Sequence, residues 1–344
     1  MAQLPKLMLA SSFAFAACLA GCGGGGTSVA SMPPPPITPT PAKTGAIISA
    51  PALATAPNAG LFPLAASGGP TIQSHPSTLF PLLQSVVSIS PGTAAAGTAT
   101  MNAGATLAYS APGNSYQLDV GNPALGVSHV ALTPSSSGSA SVFQADLGGG
   151  AAAFVDIVNP ATSSLSWTSY GFWDVHASAS YTNAAFVTGY ATPDAGVPTS
   201  GTAAYTGSVV GEAFHPDAAG IDGVDFYQLA GSASLQANFG NRSISGNLTN
   251  MTTKSFEGDV SPWNSVSLLG SISGGQFSGT SAATSAPANS GSLSTAANGT
   301  FAGMFFGPNA QELGAVWTLY DGTSSAVGSI GATTNPAGAG TWDY

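Results

Sequence analysis

Leu229-Ala230-Gly231-Ser232-Ala233-Ser234-Leu235-Gln236-Ala237-Asn238-Phe239 alternates in character over its whole length. Leu229, Gly231, Ala233, Leu235, Ala237 and Phe239 fall on one face, and Ser232, Ser234, Gln236 and Asn238 on the other. A period of two is that of an extended chain whose successive side chains point oppositely, so the stretch reads as a half-buried strand and not as a helix. Similar runs lie on both sides of it, at 165–173, 184–190, 202–214, 242–248, 265–272, 299–306, 311–319 and 326–330. Gly240-Asn241 fits a short hairpin turn between two of them. Further upstream, shorter runs at 105–109, 116–120, 127–132, 141–147 and 152–158 are separated by Pro, Gly, Asn and Ser clusters, a spacing that suits a small antiparallel sheet. Helix signals are nearly absent.

Three stretches repeat one device: Tyr205-Thr206-Gly207, Phe277-Ser278-Gly279 and Phe301-Ala302-Gly303 set a glycine two residues after an aromatic. Glycine lets a strand bend sharply, and a neighbouring aromatic ring can cover the bared backbone. Together with the many alternating strands this predicts an all-β chain ending in an eight-stranded antiparallel barrel. Alternation does not say which face points inward, so a small transmembrane barrel is the rival reading. The apolar faces are rich in Ala and Gly, which suit a cramped barrel interior better than contact with hydrocarbon.

Composition narrows the function. Charged residues are 5% of the chain, with Lys+Arg 4 against Asp+Glu 14 and a net charge of −10. So few cations exclude nucleic-acid binding and polybasic attraction to anionic lipid. Gly (45) and Pro (25) account for about a fifth of the residues, as expected of a turn-rich β protein.

The N-terminus reads as an export signal over residues 1–21, with Lys6 as its only charge and an apolar run at 7–20 that is short for a membrane helix. Leu19-Ala20-Gly21-Cys22 matches a bacterial lipobox, in which small residues admit the peptidase and the Cys22 thiol carries the lipid. Residue 23 is glycine rather than an acid, which favours the outer membrane. Residues 22–68, with Gly23 to Gly26 and Pro33 to Pro36, are expected to be a disordered tether. The only other cysteine is Cys18, inside the signal, so the mature protein has no disulfide and no thiol chemistry.

The stretch Gly299-Thr300-Phe301-Ala302-Gly303-Met304-Phe305-Phe306-Gly307-Pro308-Asn309-Ala310-Gln311-Glu312-Leu313-Gly314-Ala315-Val316-Trp317 resembles the closing signature of the transferrin-binding-protein-B-like β-barrel lipoprotein family. Tyr170-Gly171-Phe172-Trp173 and Pro198-Thr199-Ser200-Gly201-Thr202-Ala203-Ala204-Tyr205-Thr206-Gly207 agree with it in the same order. The resemblance extends over roughly residues 163–332; Ala315 departs from it, standing where the family usually has a second glycine. It implies a handle-like sheet domain at 69–160, a barrel domain at 161–344, and a lipid-anchored, surface-exposed outer-membrane protein. It also implies capture of an iron source (haem, a metallophore or a host iron- or haem-carrying protein) for a partner such as a TonB-dependent receptor, so that haem or iron enters as cargo. A surface adhesin or host-factor-binding lipoprotein without an uptake role is the alternative. Within the signature, Pro308 and Gly307 read as turn residues and Glu312 as an acceptor for turn amides.

Chemistry-bearing residues are sparse. Trp173-Asp174-Val175-His176 puts an acid and a histidine on one face of a strand, and His215-Pro216-Asp217 sits in a loop pattern. Trp173, His176, His215 and Asp217 are therefore the ligand-binding candidates, with Tyr170, Tyr181, Tyr190 and Tyr227 as weaker phenolate donors. His75 and His129 have no partner in sequence, and Asp222-Gly223-Val224-Asp225 lacks the density of a calcium loop. No nucleophile elbow, phosphate loop or His-Glu-x-x-His is present, so an enzyme is not expected.

Overall fold

The computed structural model describes residues 80–334 apart from 90–97, 111–114, 120–129, 136–141, 150, 159–162, 178–179, 222–223, 256–257 and 290. The signal, Cys22, the tether, His75, His129 and Asp222 lie outside the described residues. The described chain is all-β, with a single 3-10 turn at Asp194–Gly196.

Two antiparallel sheets follow one another in sequence. The first contains β1 (Phe80–Ile89), β2 (Thr98–Ser110), β3 (Ser115–Asp119), β4 (Val130–Pro134), β5 (Val142–Gly148), β6 (Ala151–Val158), β7 (Thr168–Ala177) and β8 (Ser180–Gly189), each paired with the next. β8 pairs back onto β1, from Leu83↔Val187 to Ile89↔Tyr181, and closes the ring. The second contains β9 (Thr202–Ile221), β10 (Val224–Asn238), β11 (Ser243–Lys254), β12 (Val260–Pro262), β13 (Val266–Ser273), β14 (Gln276–Ala283), β15 (Asn298–Phe306), β16 (Glu312–Tyr320) and β17 (Ser325–Thr333). Its order is β10-β9-β17-β16-β15-β14-β13-β11, and pairing of β10 with β11 completes an eight-stranded barrel with the short β12 added on β11.

The alternating stretch that opened the sequence reading is β10. Leu229, Ala233, Leu235, Ala237 and Phe239 are buried, while Ser232, Ser234 and Gln236 are exposed. The apolar face therefore points into the barrel, where it joins Tyr205, Ile244, Leu268, Phe277, Phe301, Phe305 and Trp317 in one core. Outward, β11, β13 and β14 present Ser245, Asn247, Ser271, Ser278 and Thr280. That is a water-facing surface and not the apolar band by which a membrane barrel meets lipid.

The aromatic–glycine device acts across strands rather than along one. Phe277 is the register partner of Gly303, and a Cβ at Gly303 would lie 2.1 Å from its ring. The ring thus covers the neighbour's bare backbone, which only glycine permits at that approach.

Two strand assignments differ from the sequence reading. The runs at 165–173 and 184–190, expected in the C-terminal barrel, form β7 and β8 of the first sheet, so the change of sheet falls between Gly189 and Thr202 rather than at 160. Their alternation is equally good in either sheet; what marks the junction is the Pro193 to Pro198 stretch with its 3-10 turn. The eighth barrel strand is instead β14, Gln276–Ala283, whose Gly, Ser, Thr and Ala residues give almost no apolar contrast beyond Phe277.

The sheets pack through a third core formed by Val158, Tyr170, Ala185 and Val187 of the first and Phe214, Phe306, Val316 and Val327 of the second. β16 and β17 are buried almost throughout because both of their faces are covered. A Cβ at Gly331 would come within 2.3 Å of the Tyr170 ring, so the first sheet presses directly on the barrel backbone there. Polar links cross the same contact. Tyr170 Oη bonds Ser208 Oγ, Ser329 Oγ donates to Gly171 O at 2.9 Å, and Asn183 Nδ2 donates to Glu212 Oε2.

Candidate functional site

β9 and β10 outrun their neighbours. β17 follows β9 only as far as Phe214, and β11 follows β10 only back to Gln228, yet β9 and β10 stay paired through His215↔Asp225 and Pro216↔Val224. A two-stranded ribbon therefore projects from one end of the barrel, carrying His215, Asp217, Asp225 and Tyr227.

The segment between β14 and β15 folds over the same end. Leu293 and Ala297 plug into the barrel core. Asn264, fully buried, clamps the segment through three bonds: Nδ2 donates to Leu293 O at 2.8 Å and to Ser285 O at 2.5 Å, and Oδ1 accepts from Leu293 N at 2.9 Å. Gly291 O accepts from Trp263 Nε1 at 2.7 Å and bonds His215 Nε2 at 3.0 Å. Asn289 orders the turn, accepting from Gly291 N at 3.1 Å and donating to Pro262 O at 2.7 Å.

Between ribbon and plug lies a cleft of about 260 Å³ lined by Tyr227, Thr253, Ser255, Asp259, Ser261, Asn289 and Gly291. The His215 and Tyr227 rings meet edge to face with centroids 5.4 Å apart. Burial lowers the His215 pKa; its Gly291 bond and the Asp321 and Asp225 carboxylates oppose that without cancelling it. Burial pushes Asp321 upward, but bonds from the amides of Ser294, Ser324 and Thr323, together with His215, outweigh it and leave its carboxyl below the ordinary value. The result is a neutral imidazole bridging ribbon and plug beside an ionised carboxylate. The cleft offers hydroxyls, an amide and one carboxylate to a small polar ligand.

The sequence candidates are not gathered into one place. Trp173 is 2% exposed inside the first sheet, because its position in β7 faces the ring interior with Val175 and Phe186. It is a core side chain with no face for a ligand. The His176 and Tyr181 side chains lie outside the described residues. Asp174, expected to orient His176, is 8% exposed and lies by Glu212 at the contact with the second barrel. His215 borders the cleft, with Nε2 already engaged by Gly291 O, and Asp217 is exposed on the ribbon. Tyr170 is buried between the sheets, Tyr227 lines the cleft, and burial pushes Tyr190 up to about 12. Among the described residues no group of three His, Cys, Asp or Glu is arranged to hold a metal ion.

Glu312 does accept amide bonds, though not from its own turn. Ser166 N (2.6 Å) and Trp167 N (2.9 Å), just before β7, donate to its carboxylate and tie the two sheets together. Asn264 and Glu212 went unnoticed in the sequence. Glu212 had a signal: it is a lone acid in the apolar run Val209-Val210-Gly211-Glu212-Ala213-Phe214.

Residues 197–334 match the family described as C-lobe and N-lobe beta barrels of Tf-binding protein B. The resemblance drawn from the closing signature therefore holds across the second barrel. Among solved structures, the isotype 1 transferrin binding protein B of serogroup B Neisseria meningitidis is similar at 20% identity and TM-score 0.41, with 76% of this chain and 44% of that one covered. HpuA from Kingella denitrificans, in complex with human haemoglobin, matches at 14% identity and TM-score 0.36, covering 76% of this chain and 91% of that one. The N-lobe domain of lactoferrin binding protein B from Moraxella bovis matches at 14% identity and TM-score 0.33, covering 56% and 79%. This chain spans less than half the length of the meningococcal protein and of the intact two-lobed transferrin binding protein B. A search of curated proteins finds no significant match.

Proposed function

We propose, on the premise that residues 197–334 are a barrel of the transferrin-binding protein B family, that the chain is a lipid-anchored surface protein that captures an iron source for a partner transporter. The match over 197–334 is the observation that carries this reading. Transferrin, lactoferrin and haemoglobin appear in the names or complexes of the similar structures, so haem-carrying and iron-carrying host proteins head the cargo classes, with free haem and metallophores beside them. The ribbon of β9 and β10, with His215, Asp217 and the adjoining cleft, is the proposed contact surface, since it projects from the barrel, exposes Asp217 and borders the cleft. The anchor is Cys22, and a TonB-dependent receptor is the proposed partner. With charge this sparse, recognition works through shape and hydrogen bonds rather than long-range steering.

The test is direct binding of the full chain to haem, followed by the Soret shift, and to immobilised human transferrin, lactoferrin and haemoglobin. It is paired with growth of a deletion strain on each as sole iron source. Saturable binding to one cargo with a matching growth defect supports the reading. Binding to a host protein without a growth defect favours the adhesin reading, and absence of binding to all four overturns capture of these cargoes.

A further inference from the structure

The contact between the sheets holds three acids, Asp156, Asp174 and Glu212, gathered about Asn183. Glu212 leaves β9 on the outward face between Val210 and Phe214, both part of the apolar core that joins the sheets. Asn183 of β8, fully buried, donates its Nδ2 to Glu212 Oε2, while its Oδ1 has no hydrogen-bond donor. Asp174 stands directly opposite Asn183 in the β7–β8 ladder, and Asp156 belongs to the adjacent β6, opposite Phe172. Directly opposite residues such as Asp174 and Asn183 have side chains within touching distance, and Asp156 lies diagonally across from Asp174. Asp174 and Asp156 are the charges that Glu212 feels, and both act to raise its pKa.

No described base answers them. Of the other ionisable groups on the strands at this contact, Tyr170 bonds Ser208, His215 is committed to Gly291, and Glu312 accepts the Ser166 and Trp167 amides. His176 lies outside the described side chains, and β1, β8 and β17 contain no acidic or basic residue. Two adjacent carboxylates in an apolar contact repel each other and lose their hydration. A proton on one of them removes both costs and creates an O–H donor beside the orphaned Asn183 oxygen.

We infer that this cluster is a pH-sensitive latch: Asp174 and Glu212 are carboxylic acids while the sheets are docked, and loss of their protons loosens the docking. Burial places Asp174 at about 8 and Glu212 well above its ordinary value. The unfolded carboxyls ionise near ~4, so between the two values the docked state binds more protons and its stability falls as pH rises. The latch is thus shut in mild acid and released in mild alkali. His215 works in the opposite sense, below 6.5, so the two windows separate.

The experiment uses the full chain in two measurements. Infrared spectra in D2O between pH 5 and 9 should contain a protonated-carboxyl band at pH 6 that disappears with a midpoint near 8 and is reduced in Asp174→Asn. Amide hydrogen exchange, corrected for its intrinsic pH dependence, should accelerate in β7, β8 and β9 as pH rises from 5 to that midpoint, by up to roughly tenfold per pH unit for each proton released, and level off above it. β13 and β14 should change little, and Asp174→Asn combined with Glu212→Gln should flatten the response. The wild-type infrared measurement stands even if the variants fold poorly. Absence of the band at pH 6, or exchange in β7–β9 as flat in the wild type as in the variant, overturns the proposal.

Discussion

Glu312 shows how one side chain can belong to two structures at once. It lies in the closing signature of the barrel, yet its oxygens are taken by the backbone of Ser166 and Trp167 ahead of β7. Glu312→Ala should cost about 2–4 kcal/mol, since it strands two amides that bond a carboxylate, and Glu312→Gln should cost less. Chemical denaturation of the full chain measures both. Residue identity made the acceptor role legible in sequence, because a carboxylate after a Gly-Pro turn has few other uses. The donors were not legible: they lie about 145 positions away and no local rule connects them. The same holds for Trp173, whose aromatic character reads equally as core or contact until strand parity decides it.

Strands were read well where they alternate and poorly where they are made of small residues. The alternation at 229–239 marks the C-terminal part of β10 and misses 224–228, whereas β14 lacks contrast and the alternation of β7 and β8 does not assign them to the first ring. Alternation reports that one face is buried, not which sheet buries it. The plug between β14 and β15 illustrates the opposite case, a segment without strand pattern whose geometry depends on one buried amide. Asn264→Ala should lower stability by about 3 kcal/mol through its three lost bonds, and should expose residues 284–297 to proteolysis before the barrel itself opens. His215 gives the plug a pH response. Its folded pKa lies below 6.5, so the unfolded state takes up protons first and stability is lost as pH falls through that range. Limited proteolysis of the plug should quicken in mild acid, and His215→Phe should remove that pH dependence.

For the whole molecule, two rings joined over a buried contact form a body with few charges and a hydroxyl-rich exterior on β10, β11, β13 and β14. The outward hydroxyls of these strands form no apolar band for lipid, and the proposed function places the anchor at Cys22. Carbonate extraction should leave the wild type with the membrane fraction and release Cys22→Ser into the soluble fraction. The closure of both rings, β8 onto β1 and β10 onto β11, carries a last consequence. Among the described residues, the paired walls of the rings leave a visiting polypeptide no rail on which to add a strand, so whatever docks there must grip side chains. The ribbon of β9 and β10, beyond Phe214 and Gln228, is different: its outer edges have no strand from the ring beside them, and edge-to-edge pairing with another chain has its opening there.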